Sequence, residues 1–243
     1  MISEVMEKTH SVTRKPRIAL NQLAEYMIAS DVTRQRILTT CRFRPIARIV
    51  QYNDGRSMVA FHIASGSASI NDLQIKLDKL ARKPVSSGFE AQQLELNCAL
   101  IAKYIALSNV IELPGTKILK PPLASEKLKY NGVEISVEPD LIVMDKKDGQ
   151  ALVGAAKIRY SKGKPVDAEA AEYVGVGLFD FAESCLGNYG LAAKKLCFSL
   201  DLHSGQSIAC PSSTTRKLNN MKAACAGIAA QWERIKPPNG AAL

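Results

Sequence analysis

The chain has little from which to build a zinc site, a nucleotide-binding loop or a membrane span. Its histidines, His10, His62 and His203, stand far from one another. Its six cysteines (Cys41, Cys98, Cys185, Cys197, Cys210 and Cys225) form no C-x-x-C pair and have no histidine at zinc-ligand spacing. No zinc is therefore expected, and the thiols are expected to be reduced and mostly buried. There is no G-x-x-x-x-G-K-[ST] loop and no G-x-S-x-G elbow, and Gly175-Val176-Gly177 falls inside a helical pattern rather than at a strand-to-helix turn. No run of about 18 apolar residues occurs. Met1 to Lys8 carries charges where a signal peptide needs an apolar segment. A cytoplasmic protein without a membrane role is the expectation. No internal repeat or low-complexity tract is present.

What is there is apolar and basic. At 243 residues and 47% hydrophobic, the chain can bury a large core. A formal net charge of +9 favours an anionic partner, of which nucleic acid is the commonest kind.

Residues 1–17 are patternless and polar and read as a flexible arm. Leu20, Leu23, Ala24, Met27 and Ile28 then recur at helical spacing, followed by Arg34, Arg36, Arg42, Arg44 and Arg48. Residues 18–85 read as a helical, basic N-terminal region, whose arginines line either a solvated face or a phosphate-contact surface. Within it, Ala47 to Tyr52 and Ser57 to Ile63 flank Asn53-Asp54-Gly55 as a hairpin would, in competition with a helix from Phe61 onward. Ile70, Leu73, Leu77 and Leu80 predict a further helix, which Pro84 ends.

Residues 86–243 carry the remaining elements. A helix from Phe89 to Leu107 presents Ala91, Leu94, Cys98, Ile101 and Ile105 on one stripe. Asn109 to Asn131, with Pro114-Gly115 and Pro121-Pro122, reads as a connection into a strand over Gly132 to Val137. Next come a strand beginning near Pro139-Asp140, which continues from the first or pairs with it, and another from Leu152 to Tyr160, around the charged, Gly-ended turn Asp145 to Gly149. A helix from Asp167 to Leu186, a hairpin around His203-Ser204-Gly205 and a helix from Ser213 to Ile235 complete the chain. This order predicts an α/β fold, a central mixed β-sheet flanked by helices.

Asp140 and Lys157 carry the chemistry in this pattern. On neighbouring strands they set a carboxylate beside an amine, a pairing that suits a divalent cation and an attacking water. Each has a plainer reading too. Asp140 can cap a strand or hold a turn, and Lys157 can be a surface residue, although an inward-pointing Lys is costly unless paired.

This order, with Pro139-Asp140 on one strand and Lys157 on the next, resembles the PD-(D/E)xK nuclease superfamily, specifically its RecB-type and lambda-exonuclease-like branch. The resemblance covers Phe89 to Cys210 and implies a restriction-endonuclease-like fold acting on DNA by metal-dependent phosphodiester hydrolysis, in prokaryotic defence or repair. It implies a preceding helical Glu, for which Glu95 stands first and Glu90 second, and a following helix with a Q-x-x-x-Y motif, where this chain has Glu169-Ala170-Ala171-Glu172-Tyr173. The family's second carboxylate falls on Ala155, two residues before Lys157. Glu169 or Glu172 would have to replace it, as a migrated carboxylate does in some relatives.

On that reading Mg²⁺ (or Mn²⁺) is held by Asp140, Glu95 and the carbonyl of Ala156, with Lys157 orienting the water and stabilising charge at phosphorus. Tyr173, Arg159, Lys162 and Lys164 contact the phosphate backbone. The cysteine spacing lacks the clustering by which some relatives hold an iron-sulfur cluster, so none is expected. The alternatives are a catalytically inactive relative that binds nucleic acid or a partner protein through the same face, and a structural subunit of a larger complex.

Overall fold

The computed structural model describes residues 8–46, 53–66, 69–121, 127–160 and 165–243. In chain order the elements are β1 (His10–Val12), β2 (Arg17–Ala19), α1 (Leu20–Ile28), α2 (Asp31–Arg42), β3 (Phe43–Pro45), α3 (Asn53–Ser65), α4 (Ile70–Ala81) and α5 (Gly88–Leu107). Then come β4 (Lys117–Leu119), β5 (Lys127–Tyr130), β6 (Val133–Ser136), β7 (Leu141–Lys147) and β8 (Gln150–Arg159). The last are α6 (Ala168–Cys185), β9 (Leu191–Ala192), β10 (Phe198–Asp201), β11 (Gln206–Ala209) and α7 (Thr215–Gln231).

The central sheet runs β11-β10-β8-β7-β4, with β9 beside β8. β7 and β8 form a hairpin with Lys147 opposite Gln150, turned by Asp148 (φ +51°) and Gly149 (φ +79°). Two consecutive positive φ values are what a two-residue turn needs to match the twist of its strands, and Asp-Gly supplies them cheaply. β10 lies parallel to β8, so α6 is the crossover that a parallel pair requires. The Asp167 side chain accepts hydrogen bonds from the N–H groups of Glu169 (2.9 Å) and Ala170 (3.1 Å), which caps α6 and starts it there.

Both faces of the sheet are buried. Alternation along β8 sends Val153 and Ala155 to one face and Leu152, Ala156 and Ile158 to the other. The first face packs on α1, α6 and α7 through Leu20, Leu23, Val174, Leu178, Met221 and Ile228. The second packs on α3, α4 and α5 through Val59, Leu73, Leu77, Leu100 and Ile101. An α/β mixed sheet between helical layers is thus the architecture. It explains why β8 reads as an apolar run rather than as an alternating strand. α1 approaches α6 so closely that a Cβ on Gly177 would lie 2.3 Å from Leu20 Cδ1.

Four expectations need correction. The hairpin proposed across Ala47 to Ile63 is not formed. Its first limb lies outside the described residues, and Asn53–Ser65 is helical because Val59, Ala60 and Ile63 share one buried face. The Gly55 N–H donates to Asn97 Oδ1 (2.7 Å), drawing α3 onto α5. On α5 the buried residues are Leu96, Asn97, Leu100, Ile101 and Tyr104, a stripe rotated from the expected one toward this contact. β6 joins a separate sheet, β2-β6-β5, and so neither continues into nor pairs with the Asp140 strand. Finally, the N-terminal segment from residue 8 onward is woven into the rest: β1 pairs with β3, the Thr9 N–H donates to Ala242 O (3.0 Å), and α1 contributes Leu20, Leu23 and Ala24 to the core beside the sheet.

Candidate functional site

Asp140 stands immediately before β7, opposite Lys157 of β8. Its N–H donates to Ala156 O (2.8 Å) and its Oδ2 accepts the Ile158 N–H (2.8 Å), so both backbone and side chain are fastened to β8. Lys157 follows Val153 and Ala155 on one strand face, which turns its side chain inward; the residue is only 4% exposed. Its Nζ lies 3.6 Å from Asp140 Oδ2 and donates to the backbone carbonyl of Glu138. Glu138 has φ +43°, a left-handed conformation that costs a non-glycine residue about 1–2 kcal/mol. The connection over residues 137–140 places that carbonyl on the amine.

A residue from outside the hairpin completes the cluster. Arg56 of α3 places Nε 3.5 Å from Asp140 Oδ1. The Lys157 amine is held below its ordinary value: burial lowers it, the Asp140 carboxylate opposes that, and the Arg56 charge adds to the lowering. Arg159, two residues along β8, pairs through Nη2 with Glu25 Oε1 of α1 at 2.7 Å. Asn21, Glu25, Arg56, Ile158, Arg159 and Tyr160 line a cleft of about 190 Å³ beside the cluster. Two arginines and one glutamate, Arg56, Arg159 and Glu25, therefore border one small opening beside the Asp140–Lys157 pair, a balance suited to meeting a phosphate.

The other sequence-predicted residues go elsewhere. Glu95 is exposed on α5, beside the inward-facing Leu96 and Asn97, and does not line the cleft. Glu169 and Glu172 both turn to Lys217 of α7, at 3.3 and 3.1 Å. Burial lowers the Lys217 pKa, but the two glutamates outweigh it and the net shift is upward. The Asp167 cap sets this phase, since it aims Ala170, Ala171 and Val174 inward and leaves the glutamates to α7. Tyr173 is buried, with Lys217 Nζ 4.3 Å from its ring centroid, so its ring is a packing and cation-π surface. The Ala156 carbonyl, expected as a metal ligand, is the acceptor of the Asp140 N–H. Lys162 and Lys164 lie outside the described residues. Among the described residues no three His, Cys, Asp or Glu side chains are grouped so as to hold a metal ion.

Arg56 and Glu25 are the members that sequence reasoning passed over. Arg56 lay in a segment that read as a hairpin, and Glu25 in a helix noted only for its apolar stripe. No protein-family model matches the chain, and no curated protein matches it in sequence.

Proposed function

We propose that the chain is a nucleic-acid-binding protein, a PD-(D/E)xK-like α/β domain whose Asp140–Lys157 centre is a structural ion pair rather than a catalytic metal site. The order of elements around the pair supports the likeness: a helix, the Asp140 and Lys157 strands, a helix, then a hairpin whose first strand lies parallel to β8. The observation that carries the non-catalytic reading is the occupancy of the Asp140 carboxylate, shared among Arg56, Lys157 and the Ile158 N–H. Mg²⁺ demands near-ideal octahedral oxygen coordination, usually from one or two carboxylates together with waters and phosphate oxygens. Here the Asp140 carboxylate already faces two cations, Glu25 is paired with Arg159, Ala155 offers no oxygen from its side chain, and Glu169 and Glu172 are committed to Lys217. The residues present do not fit the ion. The net charge of +9 and the basic cleft supply an attraction for phosphate that needs no metal.

The test uses the full chain with fluorescently labelled duplex and single-stranded DNA. Binding is expected to weaken with salt, log K falling by about 0.9 per phosphate neutralised on duplex DNA. Asp140→Asn should retain it, and no cleavage should appear with Mg²⁺ or Mn²⁺. Metal-dependent cleavage that disappears in both Asp140→Asn and Lys157→Met would restore the hydrolase reading. Absence of binding at low salt would remove the nucleic-acid reading altogether.

A further inference from the structure

A second basic pocket, of about 250 Å³, is lined by residues of β2, α1, the end of α2 and β3, together with Ser136 and Glu138. We propose that it is a binding site for a tetrahedral oxyanion of the phosphate class. Arg17 and Arg44 both line it, with Thr13, Gln22 and Glu138. Arg17 is fixed in place by its Nε, which donates to Ser136 Oγ at 2.9 Å and lies 3.7 Å from Glu134 Oε1. Glu134 is drawn more strongly to Lys127, at 2.6 Å. Among the described residues no hydrogen bond takes up the terminal amino groups of Arg17, and an arginine keeps a planar fork of donors there that matches two oxygens of a phosphate.

Arg44 stands on β3 with no carboxylate within ion-pair distance among the described residues, and its charge reaches the buried Cys41 thiol at the pocket wall. Gln22 spends its oxygen on the Ala19 N–H (3.4 Å) and the Cys41 thiol (3.5 Å), which leaves its Nε2 as a donor. Two arginines, a glutamine amide and Thr13 thus line one pocket. The lining carries one carboxylate, exposed Glu138, against two arginines. The volume holds a phosphate with several waters, each of which takes about 30 Å³ in the liquid. The site stands without the nucleic-acid proposal, because a free phosphate compound would satisfy the same donors.

Calorimetric titration of the intact chain with inorganic phosphate tests it, beside Arg44→Gln, Arg17→Gln and the control Lys76→Gln, whose side chain lies on the Phe61 ring away from the pocket. Saturable binding is expected, about tenfold weaker in Arg44→Gln and within about twofold of wild type in Lys76→Gln. If Arg17→Gln unfolds, Arg44→Gln still decides, since Arg44 is exposed and holds no ion pair among the described residues. Equal titrations for wild type and Arg44→Gln overturn the site. A parallel loss of DNA affinity in Arg44→Gln identifies a backbone phosphodiester as the ligand, and unchanged DNA affinity identifies a free phosphate compound. A chain that binds phosphate but no DNA keeps this site while refuting the proposed function.

Discussion

Replacing Asp140 with Ala takes a carboxylate from two cations at once. Lys157, its side chain 6% exposed, and Arg56, 29% exposed, both lose their carboxylate, and the Ile158 N–H loses its acceptor. Removing one partner of a buried ion pair costs about 3–5 kcal/mol, and leaving a buried donor unsatisfied about 1–3 kcal/mol. The two overlap, because one carboxylate serves both, and Arg56 can turn toward water. A total of about 3–5 kcal/mol is therefore expected, a large share of the roughly 5–15 kcal/mol that holds a typical protein folded. For a chain of this size that lowers Tm by about 6–20 °C. Asp140→Asn keeps an acceptor for Ile158 and should cost less. Lys157→Met should cost less than Asp140→Ala, since Asp140 would retain Arg56 and the Ile158 N–H. The decisive quantity is the coupling in the Asp140→Ala, Lys157→Met cycle, followed by thermal and urea unfolding under circular dichroism. A coupling of about 0.5–3 kcal/mol is expected for groups in one network. Additive effects within about 0.5 kcal/mol, or a Tm for Asp140→Ala within about 2 °C of wild type, would show that the pair is not a structural unit.

Gly154→Ala should destabilise by about 1–3 kcal/mol in urea unfolding, because its Cβ would sit 2.3 Å from the Leu196 carbonyl oxygen, whereas Gly187→Ala, with nothing within 4 Å, should shift stability by no more than about 0.5 kcal/mol. Burial pushes the Cys41, Cys197, Cys210 and Cys225 thiols up to about 12, so a thiol reagent near pH 8 should label the half-buried Cys98 and Cys185 first and the other four only on denaturation. The Lys157 amine, lowered chiefly by burial from 10.5, should leave a signature in pH-dependent unfolding. As pH falls below 10.5 the unfolded chain takes up this proton before the folded one, so stability is lost down to the folded value, and Lys157→Met should remove that slope; identical wild-type and variant slopes would contradict it.

The elements that could be read from the chain are those set by their own residues. Asp148-Gly149 carries the left-handed conformations that its turn demands, Asp167 caps the helix it precedes, and Gly205 (φ +78°) sits in the turn between β10 and β11. Where tertiary contact decided, local signals misled. Asp54-Gly55 has the composition of a hairpin turn, yet Asn97 captures the Gly55 N–H and the segment winds into α3. That exchange also delivers Arg56 to Asp140, so the missed helix and the missed ligand of Asp140 are one event. The same distinction runs through the candidate site. Asp140 and Lys157 are juxtaposed by one hairpin and could be paired from sequence. The orientation of Glu169 and Glu172 depends on Lys217 of α7, to which no local pattern points.

Charge counting ties Ala155 to Arg56. A centre with acids at positions 140 and 155 and a lysine at 157 would carry −1, and a divalent ion would bring it to +1, ready for a phosphate. Here Ala155 removes one negative charge and Arg56 adds one positive, so Asp140, Lys157 and Arg56 already sum to +1. A dication entering would raise that to +3 beside a Lys157 amine that burial already disfavours as a cation. It would have to displace Arg56 or strip Lys157 of its proton. A phosphodiester, with one negative charge, meets neither obstacle. The arginine of α3 thus brings the positive charge without a metal's Lewis acidity, and this is why a structural role beside a phosphate-binding cleft, rather than hydrolysis, is proposed for the centre.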